Sequence, residues 1–462
     1  MFGKVKKVHF VGIGGIGMSG IAELLINLGF KIYGSDLNPT EITKKLEAKG
    51  ATIYTNHSYD NVKECDVLVY SSAVTLDNPE IHAARDNNIP IIRRAEMLGE
   101  LLKLKERSIA VAGTHGKTTT TSMIGALLTE AGIDPTIVVG GVVKSLDVNA
   151  ILGSGNTIVV EADEFDRSFL QLQPTYSIIT TIDLDHMECY QNKTDLFNSF
   201  TQFANAVPFY GAVIACLDEP YIQNILPDIH RPVISYGFSN QADLQAKSVA
   251  FNEMDTNFQV QQNGSVLGKI HLNVPGKHNV CNALAVVALG LELNLDFKTI
   301  QTGLNSFQGV QRRQEIKGVF NDLMVMDDYA HHPTEVLATL EAIKQGWNRR
   351  LVSVFQPHLY SRTQKFYEEF ARSFLLSDVL IVTDIYPARE EPIEGLTGKV
   401  ITDAAKRFGH KNVHWVEDKN AIVDLLEKIA SPGDIIITMG AGDIWKINDE
   451  FVNLLTEKNI KT

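Results

Sequence analysis

Short apolar runs alternate with helix-period segments from residue 8 to residue 439, and few architectures accept that alternation. An apolar run without polar interruption suits a strand buried on both faces, as in a parallel sheet, and parallel neighbours need a crossover helix between them. Residues 8–12, 31–34, 67–71 and 89–92 read as strands of a first unit, with helices over 16–28 and 79–87. The polar stretch 103–107 closes it. A second unit holds strands over 109–112, 157–161, 177–182 and 213–216. Between 244 and 274 the period shifts to near-alternation, which predicts an antiparallel appendage, and a helix is expected over 279–293. Strands over 323–327, 351–355, 379–383, 413–416 and 435–439 then repeat the βα theme. At 462 residues the chain is too long for one ordinary core. The expected fold class is α/β with three domains, 1–106, 107–309 and 310–462: a Rossmann-like parallel sheet, a central α/β domain with the appendage, and a second Rossmann-like domain.

The residues Gly113, Thr114, His115, Gly116, Lys117 and Thr118 follow a predicted strand and open a helix over 119–131. Glycines let backbone N–H groups approach phosphates, and the helix N-terminus adds the positive end of its dipole. Lys117 is placed to reach the β- and γ-phosphates of ATP, and Thr118 to offer its hydroxyl to Mg²⁺. The full pattern has a glycine five residues before Gly116; Val111 stands there, so the loop is a shortened P-loop. Glu161, Asp163, Glu164 and Asp166 crowd the end of the next strand, and Asp183, Asp185 and His186 end another. Carboxylates at the carboxyl edge of a parallel sheet suit Mg²⁺, although such runs also serve as solvated loops.

A second glycine pattern, Gly12, Gly14, Gly15 and Gly17 with Ile16 between, follows the first strand, and Asp36 ends the second. This is a dinucleotide fingerprint, and its physics is a pyrophosphate on a helix N-terminus with a ribose on the carboxylate. A nucleoside diphosphate such as a UDP-sugar satisfies it as well as NAD does. In the last domain, Asp327, Asp328, His331 and His332 end one strand, residues 356–363 the next, and residues 440–443 the last. Each alone also suits a loop or cap, but three such clusters predict that one edge of this domain faces a cleft. Arg312 and Arg313 at its start could hold phosphates or form a surface basic pair.

The balance of 55 acidic against 42 basic residues, net charge −13, argues against nucleic acid as the main partner. Four widely spaced cysteines without a CxxC or Cys/His pattern predict buried thiols in a reducing compartment, not a disulfide framework or a zinc site. The first residues run straight into a strand and the longest apolar run, 283–291, stops at Glu292. Neither a signal peptide nor membrane insertion is expected, and the expected location is cytoplasmic, as a monomer or weak homodimer.

The stretches HFVGIGGIGMSGIAELL, AGTHGKTTTT, EADEFDRSFLQLQP, TTIDLDHMECY, VPGKHNVCNALAV, RRQE, MDDYAHHPTEV, QPHLYSRT and MGAGDIW, in this order from residue 9 to residue 445, resemble the Mur ligase family. The central motifs are shared with folate polyglutamate ligases, and GIGGIGMSG with Ser35 and Asp36 looks like the alanine-adding branch. The resemblance implies an amide-forming ligase that uses ATP and Mg²⁺ to join L-alanine to the lactyl carboxylate of UDP-N-acetylmuramate through an acyl phosphate. By motif, Gly12, Gly14, Gly15, Ile16, Gly17, Asp36 and Ser71 would hold the sugar nucleotide. Gly113, Thr114, His115, Gly116, Lys117, Thr118 and Thr119 would hold the ATP phosphates, with Thr118, Glu161 and His186 on Mg²⁺. Asn279 and Asn282 would face adenine, Arg313 and Asp327 or Asp328 the phosphate and ribose. His331 and Arg362 would touch the alanine or muramyl end, with Lys117, His186, His331 and Arg362 as the catalytic set. Leu359 stands where some members carry arginine, which leaves part of the anion shell unassigned. Several members carry a carbamylated lysine near the metals; Lys193 is the nearest counterpart, and none is predicted here.

Three rivals remain open on sequence. An NAD-dependent dehydrogenase would use the first glycine loop but leave the phosphate loop and third domain idle. A nucleotide switch coupled to a partner would leave the first domain idle. A sister ligase that attaches a preformed peptide to the same sugar nucleotide would differ only in its amine pocket, and the GIGGIGMSG start disfavours it.

Overall fold

The computed structural model describes residues 3–38, 40–62, 64–71, 73–143, 148–185, 187, 189–388 and 390–460. It is a three-domain α/β fold built on three sheets. The first sheet contains β1 (Lys7–Val11), β2 (Lys31–Ser35), β3 (Thr52–Tyr54), β4 (Val67–Tyr70) and β5 (Ile91–Arg93). Its order is β3-β2-β1-β4-β5 and every pairing is parallel. The order reverses at β1, so the loop after β1 opens into the crevice where such sheets bind ligands. Val8, Phe10 and Val11 of β1 are fully buried, as the uninterrupted apolar run requires.

The central sheet contains β6 (Arg107–Ala112), β7 (Thr136–Val143), β8 (Val148–Ile151), β9 (Thr157–Ala162), β10 (Tyr176–Ile179), β11 (Ala212–Cys216), β12 (Val233–Gly237), β13 (Leu244–Asn252), β14 (Asp255–Gln262) and β15 (Ser265–Leu272). Their order is β15-β14-β13-β12-β11-β10-β6-β9-β7-β8. Here the reversal falls at β6, which lies between β10 and β9, both parallel to it. The strands β13, β14 and β15 are the appendage read from the alternating pattern. The turn between β14 and β15 is Asn263-Gly264, both at positive φ (49° and 82°), a pair that matches the twist of a hairpin.

The third sheet contains β16 (Glu315–Phe320), β17 (Leu323–Asp328), β18 (Arg350–Phe355), β19 (Val379–Val382), β20 (Val413–Trp415) and β21 (Asp434–Met439), in the order β16-β17-β21-β18-β19-β20. Only the edge strand β16 is antiparallel to its neighbour; the other pairings are parallel. Two buried apolar clusters cover it, one around Met326, Phe355 and Phe374, the other around Val325, Val354 and Phe451. The chain divides into two compact units. One comprises Met1–Val249, Phe258–His271 and Val280–Gln308, the other Ala250–Asn257, Leu272–Asn279 and Gly309–Thr462. The first two sheets share the first unit, apart from the ends of β13, β14 and β15 that fall within 250–257 and at 272.

The expected strand over 177–182 stops at Ile179. Thr180 N–H still donates to Ala112 O of β6 at 3.0 Å, but the side chains of Thr180 and Thr181 and the Thr181 carbonyl bond the backbone of residues 114 and 115, so the ladder gives way to the glycine loop there. Also unforeseen were β3, β7, β8, β12 and β16. Two are only three or four residues long, and β16, at the sheet edge, is half-exposed along most of its length and carries no buried apolar run.

Candidate active site

The phosphate loop leaves β6 at the centre of its sheet. Gly113 has φ +135°, and a Cβ there would lie 2.2 Å from Thr180 Oγ1. Gly116 has φ +82°, and a Cβ there would lie 2.7 Å from Asn282 Oδ1. Both positions therefore need glycine for conformation and for room. The backbone of His115 is fixed on both sides: its N–H donates to Thr181 Oγ1 at 2.8 Å, and its carbonyl accepts from Thr180 Oγ1 at 2.5 Å. Asp183 N–H donates to Thr114 Oγ1 at 2.9 Å, and the His115 ring lies 3.3 Å from the Asp183 carboxylate. Helix Lys117–Glu130 starts here with Gly116 as N-cap and no side chain capping it, so its first N–H groups are available to an anion. Thr119 is half-buried in its first turn.

Lys117 Nζ donates to Gly113 O at 2.7 Å, Thr114 O at 3.2 Å and Glu164 Oε2 at 2.7 Å. Burial by itself would lower its pKa, but Glu164, Asp163 and Glu161 outweigh that and hold the ammonium above the usual lysine range. Thr118 Oγ1 lies 2.9 and 3.0 Å from the two carboxylate oxygens of Glu161. A hydroxyl and a carboxylate beside an anion-binding helix end are the hard oxygen donors that Mg²⁺ takes, so the residues present fit that ion. His186, the third ligand expected from sequence, lies outside the described residues. Glu164 is the neighbour that sequence reasoning left without a role: 1% exposed, it pairs with Lys117, and its carbonyl accepts from Tyr190 Oη at 2.5 Å. Lys193 has its ammonium 4.0 Å from the centre of the Tyr221 ring.

At the edge of the first sheet, Gly12 has φ +79° and Gly15 caps helix Ile16–Asn27. Asp36 accepts from Gly14 N–H at 2.8 Å and from Asn38 N–H at 3.0 Å, so its carboxylate braces the loop. Ser71 N–H donates to Val11 O at 3.2 Å, and its Cβ lies 3.3 Å from where a Cβ on Gly12 would sit. Gly12, Gly14, Gly15, Gly17, Asp36 and Ser71 thus converge, and Arg94 joins them, its Nη1 2.5 Å from a Cβ position at Gly17. Beneath the loop lies a buried polar group. Glu80 Oε2 accepts from Ser35 Oγ at 2.5 Å and lies 3.2 Å from His9 Nε2, while Oε1 accepts from Asn61 Nδ2 at 2.6 Å. Burial raises the Glu80 pKa, but His9, Ser35 and Asn61 carry it below the ordinary value.

A cleft of about 490 Å³ lies between the first two sheets, within the first unit. Tyr70, Arg93 and Arg94 line one side, and Asp166, Arg167 and Ser168 the other. Arg93 and Arg94 form ion pairs across it with Asp166 at 3.6 Å and Asp163 at 3.7 Å. Gly99 fixes the approach, since a Cβ there would lie 2.7 Å from Gln171 O. The cleft therefore places three guanidinium groups beside the acidic end of β9.

The second unit gathers the three predicted strand ends. Arg312 donates to Asp327 Oδ2 at 2.8 Å and to Gly440 O at 2.6 Å, tying β17 to the end of β21. Asp327 also accepts from Thr438 Oγ1 at 2.7 Å, and Asp328 accepts from Gln314 and Ala330 N–H groups. Both carboxylates are buried and held by protein donors. Burial pushes Asp328 up to about 6, against Arg313 and the two backbone donors. Arg313 lies 3.7 Å from Glu335, which also approaches His331 Nδ1 at 3.2 Å. The His331 and His358 rings meet edge to face at 5.9 Å, and Arg362 Nη1 donates to His358 Nδ1 at 3.4 Å. His331, His358 and Arg362 are thus one cluster. Asn279 donates to Pro275 O at 2.7 Å, and Asn282 flanks the phosphate loop.

The sequence matches the profile described as Mur ligase family, catalytic domain, over residues 7–106. It matches the Mur ligase middle domain over residues 111–290 and the profile described as Mur ligase, glutamate ligase domain, over residues 312–442. A UDP-N-acetylmuramate--L-alanine ligase of Geotalea uraniireducens is 52% identical over 455 residues, covering 98% of this chain and 99% of that one. The crystal structure of a UDP-N-acetylmuramate-alanine ligase from Thermotoga maritima superposes with a TM-score of 0.83 at 32% identity, covering 98% and 99%. That of a murein peptide ligase from Psychrobacter arcticus gives 0.70 at 26% identity, covering 97% and 98%. Among the described residues, no helix is long and apolar enough to cross a membrane.

Proposed function

The chain belongs to the Mur ligase family, and from that premise we propose that it joins L-alanine to the lactyl carboxylate of UDP-N-acetylmuramate at the expense of ATP. This is the first amino-acid addition in peptidoglycan precursor synthesis. The observation that carries the reading is two separate phosphate-suited glycine loops in one unit with an arginine-lined cleft between them. One nucleotide binds at Gly12–Gly17 and the other at the phosphate loop, and the muramyl carboxylate lies in the cleft between. A dehydrogenase would have no use for the second loop.

A carboxylate is a poor electrophile with a poor leaving group. Transfer of the γ-phosphoryl group of ATP to its oxygen gives an acyl phosphate and ADP; the neutral amine of L-alanine then attacks, its nitrogen gives up one proton, and collapse of the tetrahedral intermediate releases inorganic phosphate. Lys117 stabilises the transferring phosphoryl group, and the N–H groups of its helix bind the phosphates. Thr118 and Glu161, with His186, would hold Mg²⁺, and the ion would supply positive charge against the phosphates. Asn279 and Asn282 contact adenine, Arg313 and Asp327 or Asp328 the phosphate and ribose. Asp36 and Ser71 hold the uridine diphosphate, and His331 and Arg362 the alanine or muramyl end.

The working division is 1–106 for the sugar nucleotide, 107–309 for ATP and 310–462 for amino-acid and nucleotide contacts. The reading puts the enzyme in the cytoplasm as a monomer or weak homodimer. Incubation with isotopically labelled L-alanine tests it: label should move onto the sugar nucleotide, with one ADP formed per amide. Label that stays with free alanine while ADP accumulates would remove the ligase assignment.

A further inference from the structure

A second convergence of ligating atoms lies beside the phosphate loop, among groups the reaction above does not use. Cys216 ends β11 and Asp218 follows two residues later, whereas Cys281 lies near the start of helix Lys277–Glu292. The two Sγ atoms and a carboxylate oxygen of Asp218 lie within 4.8 Å of one another. The two thiols are hydrogen-bonded to each other, and Cys216 is 2% exposed. Asp218 does not swing freely: Oδ2 accepts from Phe238 N–H at 2.6 Å and Oδ1 from Ser239 N–H at 2.9 Å. Gly237, at φ +155°, permits that approach, since a Cβ there would lie 2.6 Å from Oδ2. Glu219, next in sequence, is close enough for its charge to act on the Cys281 thiol and to feel that of Asp218.

The donor set decides the ligand class. Magnesium takes hard oxygen donors, while two thiols with one carboxylate suit zinc and its soft relatives. A tetrahedral ion about 2.3 Å from each sulfur sets the sulfurs roughly 3.7 Å apart, inside the 4.8 Å within which these ligand atoms lie. Binding replaces the two thiol protons, so one divalent ion enters and two protons leave; the two thiolates neutralise the ion, and the Asp218 carboxylate leaves the site with one net negative charge. The helix residue after Cys281 is Asn282, whose Oδ1 fills the space beside Gly116.

We propose that Cys216, Cys281 and Asp218 form a site for a thiophilic divalent cation of the zinc class, and that its occupancy changes nucleotide affinity through Asn282 and Gly116. Cys281 stands 65 positions after Cys216, so no metal spacing marks the site in the sequence.

Titration of the full-length protein with Cd²⁺, followed by thiolate-to-metal charge-transfer absorption, tests the site directly. Competition of Zn²⁺ against a chromophoric chelator gives its affinity. One equivalent should bind with a two-thiolate band, and Cys281→Ala and, separately, Cys216→Ala should each weaken it at least about 10- to 100-fold. Cys65→Ala and Cys189→Ala should bind as the parent does. Retention of the band and affinity in Cys281→Ala, or no band in the parent, overturns the site. Two thiols instead of four on unfolding the purified protein without reductant overturns it too, in favour of a disulfide. Nucleotide affinity measured with and without one equivalent of Zn²⁺ should differ at least severalfold in the parent and not in Cys281→Ala; equal values overturn the coupling. Neither readout needs turnover, so each stands or fails independently of the ligase assignment.

Discussion

Lys117 and Glu164 depend on each other. Glu164 is 1% exposed and would be a costly charge without the ammonium 2.7 Å away, whereas the same carboxylate holds the ammonium charged and aimed at the loop. Lys117→Ala should lower the ligation rate by about 10²–10³-fold or more while leaving sugar-nucleotide affinity nearly unchanged. It should also cost about 3–5 kcal/mol in a urea melt followed by circular dichroism, because a buried carboxylate loses its partner. Lys117→Met combined with Glu164→Gln should recover most of that stability and none of the activity. Equal losses of rate and sugar-nucleotide affinity in Lys117→Ala would mean that the two loops have been exchanged. Asp328 makes a second prediction at this scale. Its folded pKa, about 6, lies above the ordinary carboxylate value, so its contribution is full in acid and lost as pH rises through 6. Between about pH 5 and pH 7 the loss is about 1 kcal/mol. Trp347, Trp415 and Trp445 all lie in the second unit, so tryptophan fluorescence reports its unfolding alone. Asp328→Asn should remove that loss from the pH dependence; parallel curves for parent and variant would assign the slope elsewhere.

Among the elements, the proposed chemistry rests on the strand–loop–helix joints. Gly113 combines φ +135° with Thr180 and Thr181 atoms 2.2–2.9 Å from where a Cβ would stand, whereas Gly132, at φ +69°, faces open space. Gly132→Ala should cost only the left-handed backbone penalty of about 1–2 kcal/mol. Gly113→Ala should destabilise more and abolish ATP binding, as read by calorimetric titration; normal ATP affinity in that variant would sink the loop assignment. The joints were legible because each follows an apolar run and opens a helix, a local pattern. Their supports were not. Thr180 and Thr181 stand 65 or more residues from the loop they grip and interrupt a run that reads as strand. Arg93 and Arg94 belong to no motif, and only the packing of two sheets puts them in a cleft. Asp36 was legible as a residue but not in its contacts, for it braces Gly14.

For the molecule as a whole, the sequence read correctly as three α/β sheets because each sheet is mainly parallel and buried, which leaves unbroken apolar runs. The edge strands β3, β8 and β16 escaped, since they are short or half-exposed. The placement of both glycine loops at strand-order reversals, with one cleft between the first two sheets, is what makes the proposed three-substrate ligase the simplest account. That account depends on coupling: ATP should be split only when its acceptor carboxylate and the attacking amine are both present. The most direct test is phosphate release from ATP and Mg²⁺ with UDP-N-acetylmuramate alone, with L-alanine added, and with a tripeptide in its place. The account predicts release that requires both the sugar nucleotide and L-alanine, with little from the tripeptide. Release with the tripeptide alone, or release independent of the sugar nucleotide, would contradict it.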